Sequence, residues 1–328
     1  MNTMFKKWCA IAVGLLYVAS GLLKVMDPVG AGLIVEAYFR FMHLPESALV
    51  AKILGVVLGA LETAVGFAAV FCVWPRITRW IMLGMQSAFT LLSLALVIWN
   101  PQMHCGCFGE AIHLTHWQTF IKNIVLMGML GFAYFPLWEA INTKIWQYVA
   151  FVTLVILMVA FAVYSWYYIP VIDFTDYKIG TEIVDQREYW ELSDDERKNH
   201  ATIPMIGTDE KPNPDLTKGK WAIISLYNLP SNVLELEMSI YKYIILETLT
   251  YHVVFLVDSS IQEINDRFIE LDNELNFSVE ILNHIRNSIF ITNRTTAIAL
   301  NRKNGGIVLM EDGVIINKLA SLSKLNRN

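Results

Sequence analysis

Apolar runs long enough to cross the roughly 30 Å hydrocarbon core of a bilayer crowd the first half of the chain, near residues 8–26, 50–73, 80–99, 121–138 and 148–169. In lipid a backbone amide finds no water, so each such run must satisfy its own polar groups as a helix. At 55% hydrophobic and 17% charged residues over 328 positions, the chain is too apolar to be wholly soluble. The lipid bilayer is therefore its first expected partner. A net charge of −5 with no basic stripe excludes nucleic acid. The first run also admits a reading as a cleaved signal peptide, because Lys6 and Lys7 precede it and Val18-Ala19-Ser20 resembles a cleavage site. The apolar pattern continues through Gly21-Leu22-Leu23, which favours a retained helix.

Basic residues near the ends of the runs set the expected orientation, since cytoplasmic loops hold the excess of lysine and arginine. Lys6 and Lys7, then Arg76 and Arg79, then Lys144 fall on one side by simple counting. That side is taken as cytoplasmic. Residues 27–49 and 100–120, and everything after the fifth run, then face outward, as in a multi-pass protein of a bacterial inner membrane with a periplasmic C-terminal domain. Lys24, Arg40, Lys52 and Lys122 weaken the asymmetry, although Lys24, Lys52 and Lys122 sit at or near span ends and can snorkel.

The outward loop reads Met103-His104-Cys105-Gly106-Cys107-Phe108-Gly109. The chain has four cysteines and none beyond Cys107, so thiol chemistry centres here. Cys9 and Cys72 fall near cytoplasmic helix ends and read as small apolar residues. Disulfides persist in oxidising compartments, so the loop's expected location suits a redox-active Cys105–Cys107 pair. Reactivity then requires a stabilised thiolate and access, and Gly106 permits the unusual backbone angles a one-residue spacer demands. A purely structural disulfide is the plainer alternative. A third reading is a copper(I) or zinc site, because Met103, His104, His113 and His116 surround the thiols. Glu110 is either an acid or base for exchange or a solvated carboxylate.

Lys24 and Glu62 are ionisable residues in or near lipid, where each is costly unless paired or hydrated. They read as a packing ion pair or as part of a proton or quinone site that would drain electrons from a redox loop. Gly55, Gly59 and Gly66 permit close helix contact.

The second half changes character. Residues 171–218 read as a polar linker with a short helix near 186–199. From Trp221 the pattern alternates: a strand at 221–227, a helix at 231–250, a strand at 252–258, a helix at 260–274 and a short strand at 277–282. Strands at 296–301, 306–311 and 313–316 follow, with Asp312-Gly313 as a hairpin turn, and then a helix at 317–325. This order is an α/β arrangement.

Ser20-Gly21-Leu22-Leu23-Lys24, Asp27-Pro28, Glu36-Ala37-Tyr38 and Leu61-Glu62-Thr63-Ala64-Val65-Gly66 resemble the DoxX family of small four-helix membrane proteins. Cys105-Gly106-Cys107-Phe108-Gly109, followed by Trp117 and Lys122-Asn123, is similar to its MauE branch. The resemblance spans residues 8–138 and implies a four-helix bundle whose loop cysteines handle thiols and disulfides during maturation of exported proteins. It implies supporting roles for Phe108, Gly109 and Asn123. The second half more weakly resembles a thioredoxin-like domain, with Asn228-Leu229-Pro230-Ser231-Asn232 where a Cys-x-x-Cys would stand and Thr295-Thr296 where a cis-proline would precede the hairpin.

The expected architecture is thus a membrane protein with an α-helical transmembrane bundle at 1–140, a fifth anchoring helix at 141–170, a linker at 171–218 and a soluble α/β thioredoxin-like domain at 219–328. The expected function is membrane-embedded thiol–disulfide handling, as a component of a thiol–disulfide oxidoreductase with an extracytoplasmic protein partner or client. The competing expectations are a non-catalytic assembly or scaffold subunit, and metal binding at the loop. Quinone stands as a possible cofactor.

Overall fold

The structure is a computed structural model that describes residues 2–45, 47–101, 103, 105–112, 114–135, 143–193, 195–207, 213–229, 233–260, 262–264, 266 and 284–321. The chain divides into two compact units, residues 1–172 and 173–328.

The first unit is built from α1 (Asn2–Met26), α2 (Pro28–Phe41), α3 (Ala48–Val70), α4 (Pro75–Trp99), α5 (His116–Tyr134) and α6 (Ile145–Tyr167). Local chemistry sets the boundaries. Asp27 stops α1 and caps α2, its carboxylate accepting from the Gly30 amide at 2.9 Å with Pro28 at the first helical position. Thr115 and Gln118 form a reciprocal capping box that starts α5. Four helices, Met4–Met26, Ala48–Val70, Pro75–Trp99 and Ile145–Tyr167, are long and apolar enough to cross a membrane by length and composition. The first unit is a membrane domain.

α5, the expected fourth span, is not among those four helices. Its first turns hold His116, Gln118, Thr119, Lys122 and Asn123. It nevertheless runs the length of the bundle. At one end Lys6 donates to the Phe135 carbonyl at 2.8 Å and Thr143 to the Cys72 carbonyl at 3.1 Å. At the other end the loop after α4 touches the C-terminal part of α1, and the Lys52 ammonium lies 4.0 Å from the Trp166 ring. One face of α5 is buried: Thr119 and Asn123 lie on it with Leu126, Leu130 and Ala133, whereas Gln118 is exposed and His116 and Lys122 are half-buried. Polar content here marks a bundle interior.

Two further features depart from the sequence reading. Residues 27–49, expected as an outward loop, contain α2, whose Gly30, Ala31 and Gly32 are buried and which packs on α3. The α1–α3 seam is closer than apolar periodicity suggests. A methyl at Gly21 would stand 2.3 Å from the Gly59 carbonyl, and one at Gly59 would stand 2.8 Å from Lys24 Cβ. Small residues at matched positions let the two backbones touch, which is how helices associate where burial from water supplies no drive.

The second unit carries β2 (Glu182–Ile183), α7 (Gln186–Glu191), β3 (His200–Ala201), β4 (Ile206–Gly207), β5 (Lys220–Leu226), α8 (Val233–Thr248), β6 (His252–Val257), β7 (Ile289–Ile291), α9 (Arg294–Leu300), β8 (Gly306–Glu311) and β9 (Val314–Leu319). β1 (Cys107–Glu110) belongs to the first unit. The strands β2 to β9 form an eight-stranded sheet in the order β3-β2-β9-β8-β5-β6-β7-β4. β5, β6 and β7 are parallel, and β8 runs antiparallel to both β5 and β9. Both faces of the sheet are covered. Ile224 joins a cluster with Ile240, Leu246 and Phe255, while Ile223 joins one with Leu256, Leu300 and Met310. Near-continuous apolar runs such as Ala222–Leu226, broken only by the buried Ser225, are what a strand buried on both faces requires.

The segment 171–218, expected as a linker, supplies β2, β3 and β4 to this sheet, strands too short to leave a period-two signature. Residues 296–301, expected as a strand, lie largely in α9, which Asn293 caps through the Thr296 amide at 2.8 Å. The β-branched run misled because Ala297, Ile298 and Leu300 are buried on a short helix instead. The expected final helix begins as strand, since β9 continues to Leu319 against β8, and residues 322–325 lie outside the described residues. The expected strand at 277–282 and most of the helix at 260–274 also lie outside them. The Asp312-Gly313 turn is present, with positive φ of 46° and 83°, the signature of a type I′ hairpin.

Substituting Gly59→Val forces a branched side chain into contact with Lys24 and the Gly21 carbonyl. Over-packing of this kind costs about 1–3 kcal/mol. Thermal unfolding of the purified protein in detergent should fall by several degrees, whereas Gly84→Ala, whose added methyl meets nothing within 4 Å, should leave it unchanged.

Candidate functional site

Ser20 and Lys24 stand four residues apart on α1 and so share one face. Glu62 reaches that face from α3. The Lys24 ammonium donates to Glu62 Oε2 at 2.8 Å, to Ser20 Oγ at 2.8 Å and to the Cys107 carbonyl at 2.9 Å. Ser20 Oγ also stands within donor range of Glu62 Oε2, at 2.7 Å, and of the Cys107 carbonyl. Lys24 is 6% exposed and Glu62 2%, so the pair is shielded from solvent. An ammonium has three protons to place, and Lys24 places them on the carboxylate, the hydroxyl and the loop.

The thiols sit on top of this cluster. Tyr38 of α2 donates to the Cys105 carbonyl at 3.0 Å, so the carbonyls on either side of Gly106 are each fastened to a different helix. Gly106 itself has φ +65°, and a Cβ there would stand 2.3 Å from Ile34 Cγ2. Glycine is required twice, by backbone angle and by space. Gly109 also has positive φ, 60°, and a Cβ there would meet the Leu23 carbonyl at an ordinary contact distance of 3.7 Å.

Cys105 is buried and Cys107 half-buried, and both are free thiols. The Cys107 amide donates to Cys105 Sγ at 3.4 Å. Hydrogen bonding from the Cys107 thiol holds the Cys105 thiol well below the usual range, against the opposing effect of burial, with hydrogen bonding from the Thr119 hydroxyl and the Cys107 amide and the charge of Lys122 adding to it. The same hydrogen bond, together with burial, pushes the Cys107 thiol up. The arrangement favours the thiolate at Cys105 and the proton on Cys107. Thiolate is the attacking species in exchange, so of the two sulfurs Cys105 is the one suited to attack.

A cavity of ≈ 150 Å³ opens beneath the loop, between α1, α2, α3, α4 and α5. Its wall is mainly apolar, with Lys24, Glu62, Thr119 and Asn123 set among the hydrophobic side chains. Behind it runs a buried chain of amides and hydroxyls. Tyr17 donates to Gln86 at 3.0 Å, Gln86 Nε2 donates to the Asn123 carbonyl at 3.1 Å, and Asn123 Nδ2 donates to Ser93 at 3.0 Å.

Most of the expected site residues meet here. Cys105, Gly106, Cys107, Phe108, Lys24, Glu62 and Asn123 all line the cavity, and Gly109 follows in β1. Glu110 ends β1, and its side chain lies outside the described residues, as do His104 and His113. His116 serves the loop differently: its Nε2 donates to the Met103 carbonyl at 2.9 Å and its Nδ1 lies 3.1 Å from Asn100 Oδ1. Both ring nitrogens are engaged, and among the described residues no three His, Cys, Asp or Glu side chains converge as a metal site.

Ser20, Tyr38, Gln86, Thr119 and Lys122 were not singled out from sequence as site residues. Spacing held the signal for some: Thr119, Lys122 and Asn123 fall three and four apart on α5, one polar face in an apolar helix. Lys122 lies 4.9 Å from the Phe108 ring, which places its charge over the loop.

Two outcomes follow from this geometry. Alkylation of Cys105 by iodoacetamide, followed by mass spectrometry across pH, should proceed well below the pH at which ordinary thiols react. Cys107→Ala removes the proton donor, so the midpoint should move to higher pH, with about a tenfold loss in rate at fixed acidic pH for each unit moved. Lys122→Met should move it the same way by less. An unmoved midpoint in Cys107→Ala contradicts the assignment.

Glu62→Gln leaves the buried ammonium without its counter-charge, and breaking such a pair costs about 3–5 kcal/mol. The Lys24→Met, Glu62→Leu double replacement removes both charges and should recover most of the loss in a detergent melt. Equal destabilisation of the single and double variants contradicts the pair.

Among known families, residues 2–136 match the one described as Methylamine utilisation protein MauE. No curated protein and no solved structure matches the chain. Over residues 2–136 the first unit, with its buried ion pair and its loop thiols, is therefore similar to that family.

Proposed function

We propose that this protein is a membrane-embedded thiol–disulfide handling factor for the maturation of exported proteins, acting through Cys105 and Cys107 in the inner membrane. The observation that carries the reading is the asymmetry of the pair. Cys105 is held as thiolate by a hydrogen bond from Cys107, which itself stays protonated. A structural disulfide needs no such division. Either Cys105 attacks a client disulfide and Cys107 then displaces the client from the mixed disulfide, or Cys105 as half of an oxidised pair is attacked by a client thiol and the client's second thiol displaces it.

In this reading the loop faces the extracytoplasmic side. The short basic segments at Lys6, Arg76 and Lys144 fall at the opposite end of the bundle from the loop, which supports that orientation. α6 ends at the loop's end of the bundle, where Trp166 meets Lys52, so the chain leaves the membrane domain there.

The second unit acts as the client-binding or partner-binding part. A parallel β5–α8–β6 unit followed by an antiparallel β8–β9 hairpin, adjacent in the order β9-β8-β5-β6, is consistent with a thioredoxin-like core. It has no cysteine, so it passes no electrons by thiol exchange. Metal binding at the loop is the weaker reading, because His116 is engaged on both nitrogens. The matched family is named for methylamine utilisation, and the loop chemistry carries over to this chain as maturation of a thiol-bearing client.

The test is trapping in cells. Cys107→Ser, lacking the resolving thiol, should accumulate a reducible mixed disulfide between Cys105 and another protein on a non-reducing gel. Cys105→Ser should not. A loop that stays oxidised under all conditions, with no adduct in either variant, makes the disulfide architectural and the protein a scaffold.

A further inference from the structure

We propose that the end of the membrane domain opposite the thiol loop holds the phosphate of an anionic phospholipid at a site built around the buried guanidinium of Arg79. The site stands apart from the thiol chemistry, where α1 begins, α3 turns into α4 and α5 ends. Lys6 of α1 donates there to the Phe135 carbonyl at 2.8 Å, and Tyr134 of α5 donates to Met82 Sδ of α4 at 3.4 Å. Arg79 lies just past the first turn of α4, within electrostatic range of the Tyr134 hydroxyl.

Arg79 is 8% exposed. Its Nε is buried without a hydrogen-bond partner, and among the described residues no carboxylate pairs with it. The Trp80 ring centre lies 5.3 Å from the guanidinium carbon, but a ring face takes none of the protons as a lone pair would. Arginine keeps its charge in a protein, so this group cannot relieve its burial by losing a proton as a lysine can. Its place in the helix adds to the cost. α4 starts at Pro75 with no capping side chain, and the positive end of the helix dipole lies within a turn of the guanidinium. A cation buried in this way calls for an anion. The terminal nitrogens are not among the sealed, unpartnered atoms, so the side chain is closed at its stem and open to an anion at its tip.

The chain supplies little negative charge here. Lys6, Lys7, Arg76, Arg79 and Lys144 fall at this end, whereas Asp27, Glu36 and Glu62 belong to α2, its cap and the Lys24 ion pair. Glu139, between α5 and α6, is the one carboxylate that the sequence places at this end, and it lies outside the described residues. Five cations against one acid favour a headgroup of net negative charge over a zwitterionic one. Trp8, Trp74, Trp80 and Trp146 are each more than half exposed around the same end, as in the aromatic belt that sits at headgroup level. At that level the oxyanion within reach is a lipid phosphate, and two of its oxygens match the guanidinium fork.

The experiment uses the full-length protein in detergent, stripped of lipid and titrated separately with dioleoylphosphatidylglycerol, dioleoylphosphatidylcholine and inorganic phosphate. Bound lipid is counted by native mass spectrometry, and stability is read as the melting temperature. Wild type should retain one phosphatidylglycerol and melt higher as that lipid is added, with no response to phosphatidylcholine or inorganic phosphate. Arg79→Gln should weaken phosphatidylglycerol binding about tenfold, the worth of a charge-assisted bond. Arg79→Lys, which keeps the charge and loses the fork, should recover part of it, and Arg76→Gln, which removes an exposed charge at the same end, should still retain the lipid. Should Arg79→Gln fail to fold, the competition in wild type decides: equal retention of the two lipids overturns the site. Equal weakening by Arg76→Gln and Arg79→Gln also overturns it, because diffuse surface attraction then accounts for the binding. Stabilisation by inorganic phosphate alone overturns the lipid as the source. Wild type indifferent to phosphatidylglycerol, with Glu139→Gln destabilised in the absence of lipid, gives the counter-charge to the chain itself and overturns the proposal as well.

Discussion

A lysine ammonium buried between two helices is the constraint from which the rest of the membrane domain follows. Removing it from water is costly by several kcal/mol unless its charge and each of its protons are met. Glu62 meets the charge, Ser20 takes a second proton, and the third goes to the Cys107 carbonyl. That last acceptor comes from a loop folded back onto the bundle. The ion pair and the Cys-Gly-Cys segment therefore need each other: the loop satisfies the lysine, and the lysine fixes the loop.

From that attachment the reactivity of the thiols follows. With the Cys107 carbonyl on Lys24 and the Cys105 carbonyl on Tyr38, the peptide units flanking Gly106 have little freedom. The turn between them adopts positive φ against Ile34, where only glycine fits. The two sulfurs are then close enough for one to donate to the other, and the pair divides into thiolate and donor. The Gly21–Gly59 contact is the foundation beneath this arrangement. It brings α1 and α3 close enough for a lysine on one to reach a glutamate on the other.

Much of this was legible in the sequence because its physics is local or compositional. Span length, the Cys-Gly-Cys spacing, an ionisable residue within each of two apolar runs, and the Asp-Gly turn all leave marks within a few residues. What escaped was set by tertiary contact. α2 hid in an assumed loop because its buried face is made of Gly30, Ala31 and Gly32, which raise no hydropathy peak. The polar turns of α5 look unsuited to lipid until Thr119 and Asn123 are seen on its buried face. β2, β3 and β4 are two residues each, too short for alternation, and exist because neighbouring strands offer them partners. α9 reads as strand from its β-branched residues, and only the Asn293 cap argues otherwise. Thr119 and Lys122 became site residues through their neighbours across space rather than along the chain.

The coupling of the ion pair to the thiols is tested most directly by the ratio of alkylation rates at Cys105 and Cys107 in the Lys24→Met, Glu62→Leu protein, at a temperature where its bundle remains folded. Losing the tether to the Cys107 carbonyl should bring the two rates together, as expected for two thiols in an unconstrained loop. A ratio equal to that of the unaltered protein would mean that the loop holds its geometry without the buried lysine, and the dependence described above would be wrong.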